Sequence, residues 1–148
     1  LRPYLDRASI AGIEEYYNIA GTHLDAEGRS RTSVFEQEVQ PLLAKYQIGC
    51  MAFSPMDTGH LAPGRHTDPP LRALVETIDD VAAQLGVGRA SICVAWLAQQ
   101  PGISSVLCGA ESSEQLDANL RGIELELPAE SIAQLTQARC VFRSAQNK

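Results

Sequence analysis

The sequence has little positive charge. Its 148 residues include 12 Lys and Arg against 18 Asp and Glu, which gives a formal net charge of −6 at pH 7 and a pI near 5.0. No run of like charge is longer than two residues. Nucleic acids and anionic membrane surfaces bind to basic patches on proteins. We therefore expect neither nucleic acid nor a membrane surface as a partner.

Long apolar segments are also missing. No apolar run approaches the ~20 residues that a membrane-spanning helix needs. The opening residues LRPYLDRAS have no apolar signal-peptide core and no initiating Met, so we expect a fragment or a trimmed product rather than an intact gene product. The 45% hydrophobic composition is nevertheless enough for one globular domain over residues 1–148.

The cysteines and histidines are not spaced as they are in metal-binding or redox motifs. The four cysteines have neither CxxC spacing nor histidine partners at ligand spacing: Cys50, Cys93, Cys108 and Cys140. The first three lie in apolar segments, where a free thiol packs as a small hydrophobe, so we expect reduced thiols and a cytoplasmic location. The histidines lie in polar loops, and we expect no metal site at any of them: His23, His60 and His66.

The sequence does contain an alternation of apolar strands and amphipathic helices. Strands are predicted over residues 12–17, 48–54 and 103–108. Helices are predicted over residues 33–46 (from a capping box at Ser33 and Glu36), 71–85 (with Gly86 as its stop), 89–100 and 129–139. Residues 1–7 are predicted as the last turn of a helix, and residues 20–32 and 56–70 as loops. Trp96 falls on the apolar side of its helix and is predicted to lie in the core.

Residues 103–120, ISSVLCGAESSEQLDANL, are the most informative segment. A buried strand is followed by Gly109 and Ala110, and then by Ser112 and Gln115, which are spaced as a capping box that opens a helix. Such a strand, glycine turn and capped helix direct several unpaired backbone N–H groups at one point, which suits a phosphate group.

The residue pattern of this segment resembles the last strand–helix unit of the aldo-keto reductases. The matching positions are Gly109, Ala110, Ser112, Gln115, Leu116 and Asn119. Upstream, the run AFSPM at 52–56 with Gly59 and Leu61 is similar to that family's A-Y-S-P-L-x-x-G-x-L, and Tyr17-Asn18 is similar to the end of its Q-x-x-Y-N. The similarity extends from about residue 13 to residue 135.

The resemblance implies an α/β fold that is part of a (β/α)8 TIM barrel. Three parallel strands alternating with helices would correspond to the last three strand–helix units of that barrel. A closed barrel typically needs about 250 residues, so the 148 residues can form only part of one.

The resemblance also implies a site for NADP or NAD. In the family, the aromatic at Phe53 stacks on the nicotinamide, the loop from Ser54 to Leu61 cradles the pyrophosphate, and the last strand–helix unit holds the adenosine end. The implied cofactor-binding residues are Phe53, Ser54, Met56, Gly59, Leu61, Gly109, Ala110, Glu111, Gln115 and Asn119.

Three acidic residues depart from the family pattern. Glu14 stands in place of the Gln that would hold the nicotinamide amide, and a carboxylate cannot donate as an amide does. Glu111 would repel a 2′-phosphate, although it could accept hydrogen bonds from a ribose diol. Asp57 would add a further negative charge to the pyrophosphate loop. We therefore expect weak dinucleotide binding without preference for NADP.

No catalytic residue can be assigned. The family's D-T-A-x-x-Y motif is absent, the tyrosines lack an Asp context, and the lysines are Lys45 and Lys148. The first hypothesis is the cofactor-binding portion of an oxidoreductase that transfers hydride to a small-molecule carbonyl substrate, with the catalytic half elsewhere. The alternatives are a non-catalytic relative that senses nucleotides or binds protein, and a purely structural fragment. The partner would be the remaining barrel portion or a second copy of the chain.

Overall fold

Three parallel strands form one open sheet in the computed structural model, which describes residues 2–5, 7–65 and 68–146. The strands are β1 (Gly12–Tyr16), β2 (Gly49–Phe53) and β3 (Ile103–Leu107). Their order in the sheet is β1-β2-β3, so β2 is central. The register places Phe53 beside Tyr16 on one side and Leu107 on the other, so that the carboxyl ends of the strands meet at one edge.

Helices separate the strands along the chain. They are α1 (Arg2–Leu5), α2 (Arg31–Val34), α3 (Gln40–Tyr46), α4 (Pro69–Leu85), α5 (Arg89–Ala98), α6 (Ser113–Glu124) and α7 (Ala129–Gln146), with a π-helical stretch, Phe35–Val39, between α2 and α3. The predicted α/β class is confirmed: three parallel strands alternate with helices, as in part of a (β/α) barrel.

The core lies between the sheet and the helices. Apolar residues of α4 recur at helical spacing, and Leu74 and Ile78 are almost fully buried. Gly86 ends α4 in the left-handed conformation, as predicted (φ 67°). Trp96 of α5 is only 2% exposed, which confirms its predicted place in the core.

The helix before β2 begins differently from the prediction. Ser30, not Ser33, is the N-cap, and its Oγ accepts a hydrogen bond from the Ser33 N–H at 3.3 Å. The predicted capping box is therefore wrong. Its second member, Glu36, instead binds Arg139 and Arg143 at 2.5 and 2.6 Å. Local spacing could not reveal these distant guanidinium groups.

The same ion pairs extend α7 beyond its predicted end at residue 139. The helix continues to Gln146 because Phe142 is buried and Arg143 binds Glu36. Burial pushes the pKa of Glu36 upward, but Arg139 and the hydrogen bond from Arg143 outweigh it and hold the pKa below its ordinary value.

The thiols follow the sequence prediction only in part. Cys50 and Cys93 are buried, Cys108 is half-buried and Cys140 is exposed on α7, and all four are free. Burial raises the pKa of the Cys50 thiol to about 11 and that of Cys93 to about 12. These two groups are therefore protonated at neutral pH and pack as small apolar side chains.

No helix among the described residues has by itself the length and apolar composition of a membrane span. The pair α4 and α5 meets that criterion only when the two are counted together, and they are bent by 96° to each other.

A close contact between α5 and α6 depends on Gly122. A Cβ there would lie 2.7 Å from both the Ser91 carbonyl oxygen and the Val94 Cβ. We expect Gly122→Ala to lower the free energy of unfolding by about 1–2 kcal/mol, because overpacking outweighs the roughly 1 kcal/mol of helix propensity that Ala gains. Urea unfolding measures the change. Gly109→Ala, at a position with open space around the added Cβ, is the control, and an equal loss in both variants would contradict the steric explanation.

Candidate functional site

The loop after β2 and the turn after β3 face each other across a groove of about 650 Å³. The groove lies at the carboxyl ends of the strands, where parallel α/β sheets commonly bind ligands. The structure brings most of the predicted cofactor-binding residues together here: Ser54, Met56, Gly59, Gly109, Ala110, Glu111, Gln115 and Asn119 all line it.

The wall formed by the β2 loop has an unusual backbone. Ser54, Asp57 and Thr58 have φ values of 64°, 52° and 51°, in the left-handed region, and Gly59 has a φ of 91°. Ser54 stabilises this turn, because its Oγ accepts a hydrogen bond from the Thr58 N–H at 2.7 Å. Non-glycine residues in this region cost about 1 kcal/mol or more each and persist only where other contacts fix them.

The wall formed by the β3 turn is held by two amide side chains. Gln115 Oε1 accepts a hydrogen bond from the Glu111 N–H at 2.8 Å, and Asn119 Nδ2 donates to the Gly109 carbonyl oxygen at 3.3 Å. Ser112 is the N-cap of α6, as predicted, and its Oγ accepts from the Gln115 N–H at 3.3 Å. The Gln115 side chain, however, binds the N–H of Glu111 rather than that of Ser112, so only half of the capping box forms.

A second carboxylate lies in this wall, and sequence reasoning missed it. Glu114 lines the groove beside Glu111. Hydrogen bonds from the Ser112 hydroxyl and from its own backbone N–H lower the pKa of Glu114, so its carboxylate lies at the N-terminus of α6. An acidic residue in the first turn of a helix is ordinary, and nothing in its spacing indicated a groove.

Two predicted residues do not line the groove. Leu61 is fully buried in the core, and its carbonyl oxygen accepts a hydrogen bond from Arg89 at 2.7 Å. Phe53 is half-buried at the end of β2. Its ring packs edge-on against Tyr16, with ring centroids 5.9 Å apart, and the Arg31 guanidinium lies 6.0 Å from its centroid.

Glu14 is exposed on β1, where it pairs in register with Met51, and its side chain is not part of the groove lining. The neighbouring Glu15 is half-buried and forms an ion pair with Arg31 at 2.8 Å. The two adjacent carboxylates therefore point to opposite faces of the sheet, as the two-residue period of a strand requires.

Asp57 does not add charge to the groove, contrary to the sequence expectation. Its side chain turns inward and is fully buried. The carboxylate accepts hydrogen bonds from the Tyr16 hydroxyl, from Asn18 Nδ2 at 3.3 Å and from Thr22 Oγ1 at 2.7 Å. The left-handed φ of Asp57 carries the side chain away from the groove and towards these donors.

The pairing of Tyr16 with Asp57 also corrects the expectation that no tyrosine has an Asp context. The two residues are 41 positions apart, which sequence spacing could not connect. Burial, followed by the Asp57 carboxylate, raises the pKa of Tyr16 well above its usual range. The Tyr16 side chain is fully buried. Of the two lysines, Lys45 is exposed in the last turn of α3, and Lys148 lies outside the described residues.

The chain matches one family model and several curated proteins. The model of the Aldo/keto reductase family matches residues 11–139. A probable voltage-gated potassium channel subunit beta from Oryza sativa subsp. japonica is 27% identical, over 61% of this chain and 34% of that protein. L-glyceraldehyde 3-phosphate reductase from Escherichia coli O157:H7 is 27% identical, over 61% of this chain and 33% of that protein. The chain spans about a third of the length of these relatives.

The hydrogen bond from Tyr16 to Asp57 should contribute to folding. We expect Tyr16→Phe to lower the free energy of unfolding by about 1–3 kcal/mol, because a buried carboxylate loses a donor. Tyr46→Phe, on a tyrosine that is 42% exposed, should change it by less than about 0.5 kcal/mol. Denaturant unfolding of both variants measures the difference, and equal effects would show that the buried hydroxyl contributes nothing specific.

Proposed function

Since the chain belongs to the aldo/keto reductase family, we propose that it supplies the dinucleotide-binding side of an NAD(P)-dependent oxidoreductase. Family membership confirms the resemblance found in the sequence. The observation that carries the proposal is the convergence of the predicted cofactor-binding residues, all but Phe53 and Leu61, on one groove at the carboxyl ends of β2 and β3.

The chemistry of the groove supports this ligand class. A volume of about 650 Å³ is within the range of small-molecule sites. Ala62, Pro63 and Ala90 give it apolar surface against which a flat base can pack. The first turn of α6 also lines it, but the N–H groups of Glu111 and Gln115 are already bonded to Gln115 Oε1 and Ser112 Oγ. In the proposed complex, the backbone at Ser54, Gly59 and Gly109 would lie close to the pyrophosphate.

Charge in the groove opposes phosphate. Glu111 and Glu114 both line it, and a carboxylate repels a 2′-phosphate while it can accept hydrogen bonds from a ribose diol. The proposed cofactor is therefore NADP or NAD, bound weakly by this chain and without preference for NADP.

We propose that the catalytic residues lie in another part of the enzyme. The chain would act with a catalytic half that supplies the general acid and its partners, and the substrate would be a small-molecule carbonyl compound in a reducing cytoplasm. No residue of this chain is assigned a catalytic role. Substrate choice in barrel enzymes depends largely on loops at the carboxyl ends of the strands, and this chain carries only some of those loops.

The unpaired edges of the sheet favour a partner that adds further strands to it. Within the described residues, β1 and β3 each pair with β2 alone, so each has an outer edge without a neighbour. On α6, the helix that follows β3 in the chain, an apolar stripe is more than half exposed, formed by Leu116, Leu120 and Ile123. Further strand–helix units of a barrel, or a second copy of the chain, would cover these surfaces.

A non-catalytic relative that senses nucleotides or binds protein is the second candidate function. Glu111 and Glu114 in the proposed phosphate-binding groove favour it, and one relative is named as a channel subunit rather than as a reductase. Dinucleotide binding with no hydride transfer, even after the catalytic half is restored, would distinguish this candidate from the first.

Cofactor selectivity tests the proposed groove. We expect NMR titration to show weak binding of NADH and NADPH with shifts at Gly109, Ala110 and Asn119. Glu111→Ser should tighten NADPH binding about 3- to 10-fold and change NADH much less, because one carboxylate near the 2′-phosphate is removed. Asn119→Ala should weaken both cofactors.

The control is Glu126→Ser, which removes an exposed carboxylate that does not line the groove. It should leave both affinities unchanged. Equal tightening of NADH and NADPH by Glu111→Ser would contradict the selectivity argument, and a lack of binding-induced shifts in the groove would contradict the proposed function.

Self-association tests the uncovered surfaces. We expect sedimentation velocity to show dimers or larger assemblies, because unpaired strand edges and apolar stripes favour association. Leu120→Lys should shift the distribution towards monomer, whereas Val141→Lys, on an α7 residue that is 59% exposed, should leave it unchanged. A monodisperse monomer of the unmodified chain would contradict this prediction.

A further inference from the structure

The loops that follow β1 and β2 bring two imidazole rings and a carboxylate together. The side chains are those of His23, Asp57 and His60, and one potential ligand atom of each lies within 4.8 Å of the others. The sequence analysis expected no metal site at these histidines because their spacing is not that of a local ligand pair. The fold brings His23 close to Asp57 and His60, although it is far from both in the sequence.

The carboxylate is the fixed member of this cluster. Asp57 is fully buried. Its Oδ1 accepts hydrogen bonds from the Tyr16 hydroxyl and Asn18, which orient the group. Its Oδ2 accepts a hydrogen bond from Thr22 and lies 3.7 Å from His60 Nδ1. Among the described residues, His60 is the ion-pair partner of this carboxylate. A buried carboxylate whose ion-pair partner is a histidine rather than an arginine or lysine favours an added cation.

The two imidazoles of the cluster have different neighbours. The His23 ring stacks on Tyr16, with centroids 4.8 Å apart, and its Nε2 lies 2.9 Å from Thr58 Oγ1. The His60 ring is 5.9 Å from the His23 ring and half exposed, and its Nδ1 lies 3.4 Å from Thr22 Oγ1. Around a tetrahedral zinc ion with bonds near 2.0–2.1 Å, ligand atoms are about 3.3 Å apart. From separations of up to 4.8 Å, closing the cluster therefore needs the ligand atoms to approach one another by up to about 1.5 Å.

We propose that His23, Asp57 and His60 bind a divalent transition-metal ion, with Zn²⁺ as the expected occupant and water as the fourth ligand. Two imidazole nitrogens and one carboxylate oxygen suit zinc and its neighbours in the first transition row, whereas Ca²⁺ and Mg²⁺ favour sites built from oxygen alone. The hydrogen bonds from Tyr16 and Asn18 orient the ligating carboxylate, as outer partners do in protein metal sites.

Metal binding would connect the β1 loop to the β2 loop. His60 directly follows the left-handed stretch Asp57–Gly59, whose backbone shape depends on the Asp57 carboxylate. A metal ion would hold that stretch at both of its ends, through Asp57 and through the adjoining His60. The proposal does not depend on dinucleotide binding, because the cluster shares no side chain with the groove lining.

The test is a direct measurement of metal binding. The chain carries Cys140→Ser, since the exposed Cys140 thiol could itself bind zinc, and it is stripped with a chelator before use. We expect one Zn²⁺ per chain in competition with a chromophoric chelator, and visible absorption bands of four-coordinate Co²⁺ on cobalt addition. Saturating Zn²⁺ should raise Tm by several degrees, because the ion binds the folded state.

Ligand variants assign the site. His23→Ala, His60→Ala and Asp57→Asn should each weaken zinc binding by about 10-fold or more, and each should reduce the zinc-induced rise in Tm. His66→Ala removes the third imidazole of the chain and should change neither measurement. Circular dichroism and Tm without metal verify folding, and His60→Ala, on the half-exposed ring, is the variant least dependent on the core.

Two outcomes would overturn the proposal. The first is the lack of stoichiometric Zn²⁺ or Co²⁺ binding by the folded chain at neutral pH. The second is a zinc affinity that His60→Ala leaves unchanged in folded protein, or that His66→Ala weakens as much as His60→Ala does, since either result would assign the ion to other side chains.

Discussion

The shape of the loop after β2 depends on one buried carboxylate. The Asp57 carboxylate accepts hydrogen bonds from Tyr16 at the end of β1 and from Asn18 and Thr22 in the loop that follows β1. The ends of β1 and β2 are therefore joined by these side-chain contacts as well as by the backbone hydrogen bonds of the sheet. These bonds offset the cost of the left-handed residues around it. The opposite side of the same loop is a wall of the groove. The inner hydrogen bonds thus determine where Ser54, Met56 and Gly59 stand.

Local patterns in the sequence predicted the elements of the fold well. The three strands, the end of α4 at Gly86 and the N-cap at Ser112 each follow from neighbouring residues, because turn conformation and capping are local interactions. The helical spacing that placed Trp96 in the core is likewise local. The groove was predicted through a family resemblance, and its assembly from the β2 loop and the β3 turn is found in the structure.

The errors concern residues whose partners are distant in the chain. Glu36 was assigned to a capping box but binds Arg139 and Arg143, more than 100 positions away. Asp57 was expected to face phosphate but turns towards Tyr16. His23 and His60 have no ligand spacing in the sequence, yet they lie close to each other and to Asp57 in the fold. Charged and polar groups in a packed domain pair with groups that the fold brings close to them. A single sequence does not show which distant residues these are.

The order of the strands in the sheet is the same as their order in the chain. Each strand therefore adds to an edge that already exists, and no later strand must insert between earlier ones. During synthesis on the ribosome, β1 and β2 can pair while β3 is still untranslated, and α4 and α5 can cover that pair before the last third of the chain emerges. The partly made sheet then has β2 as its growing edge, and this edge is the surface that a chaperone would have to shield.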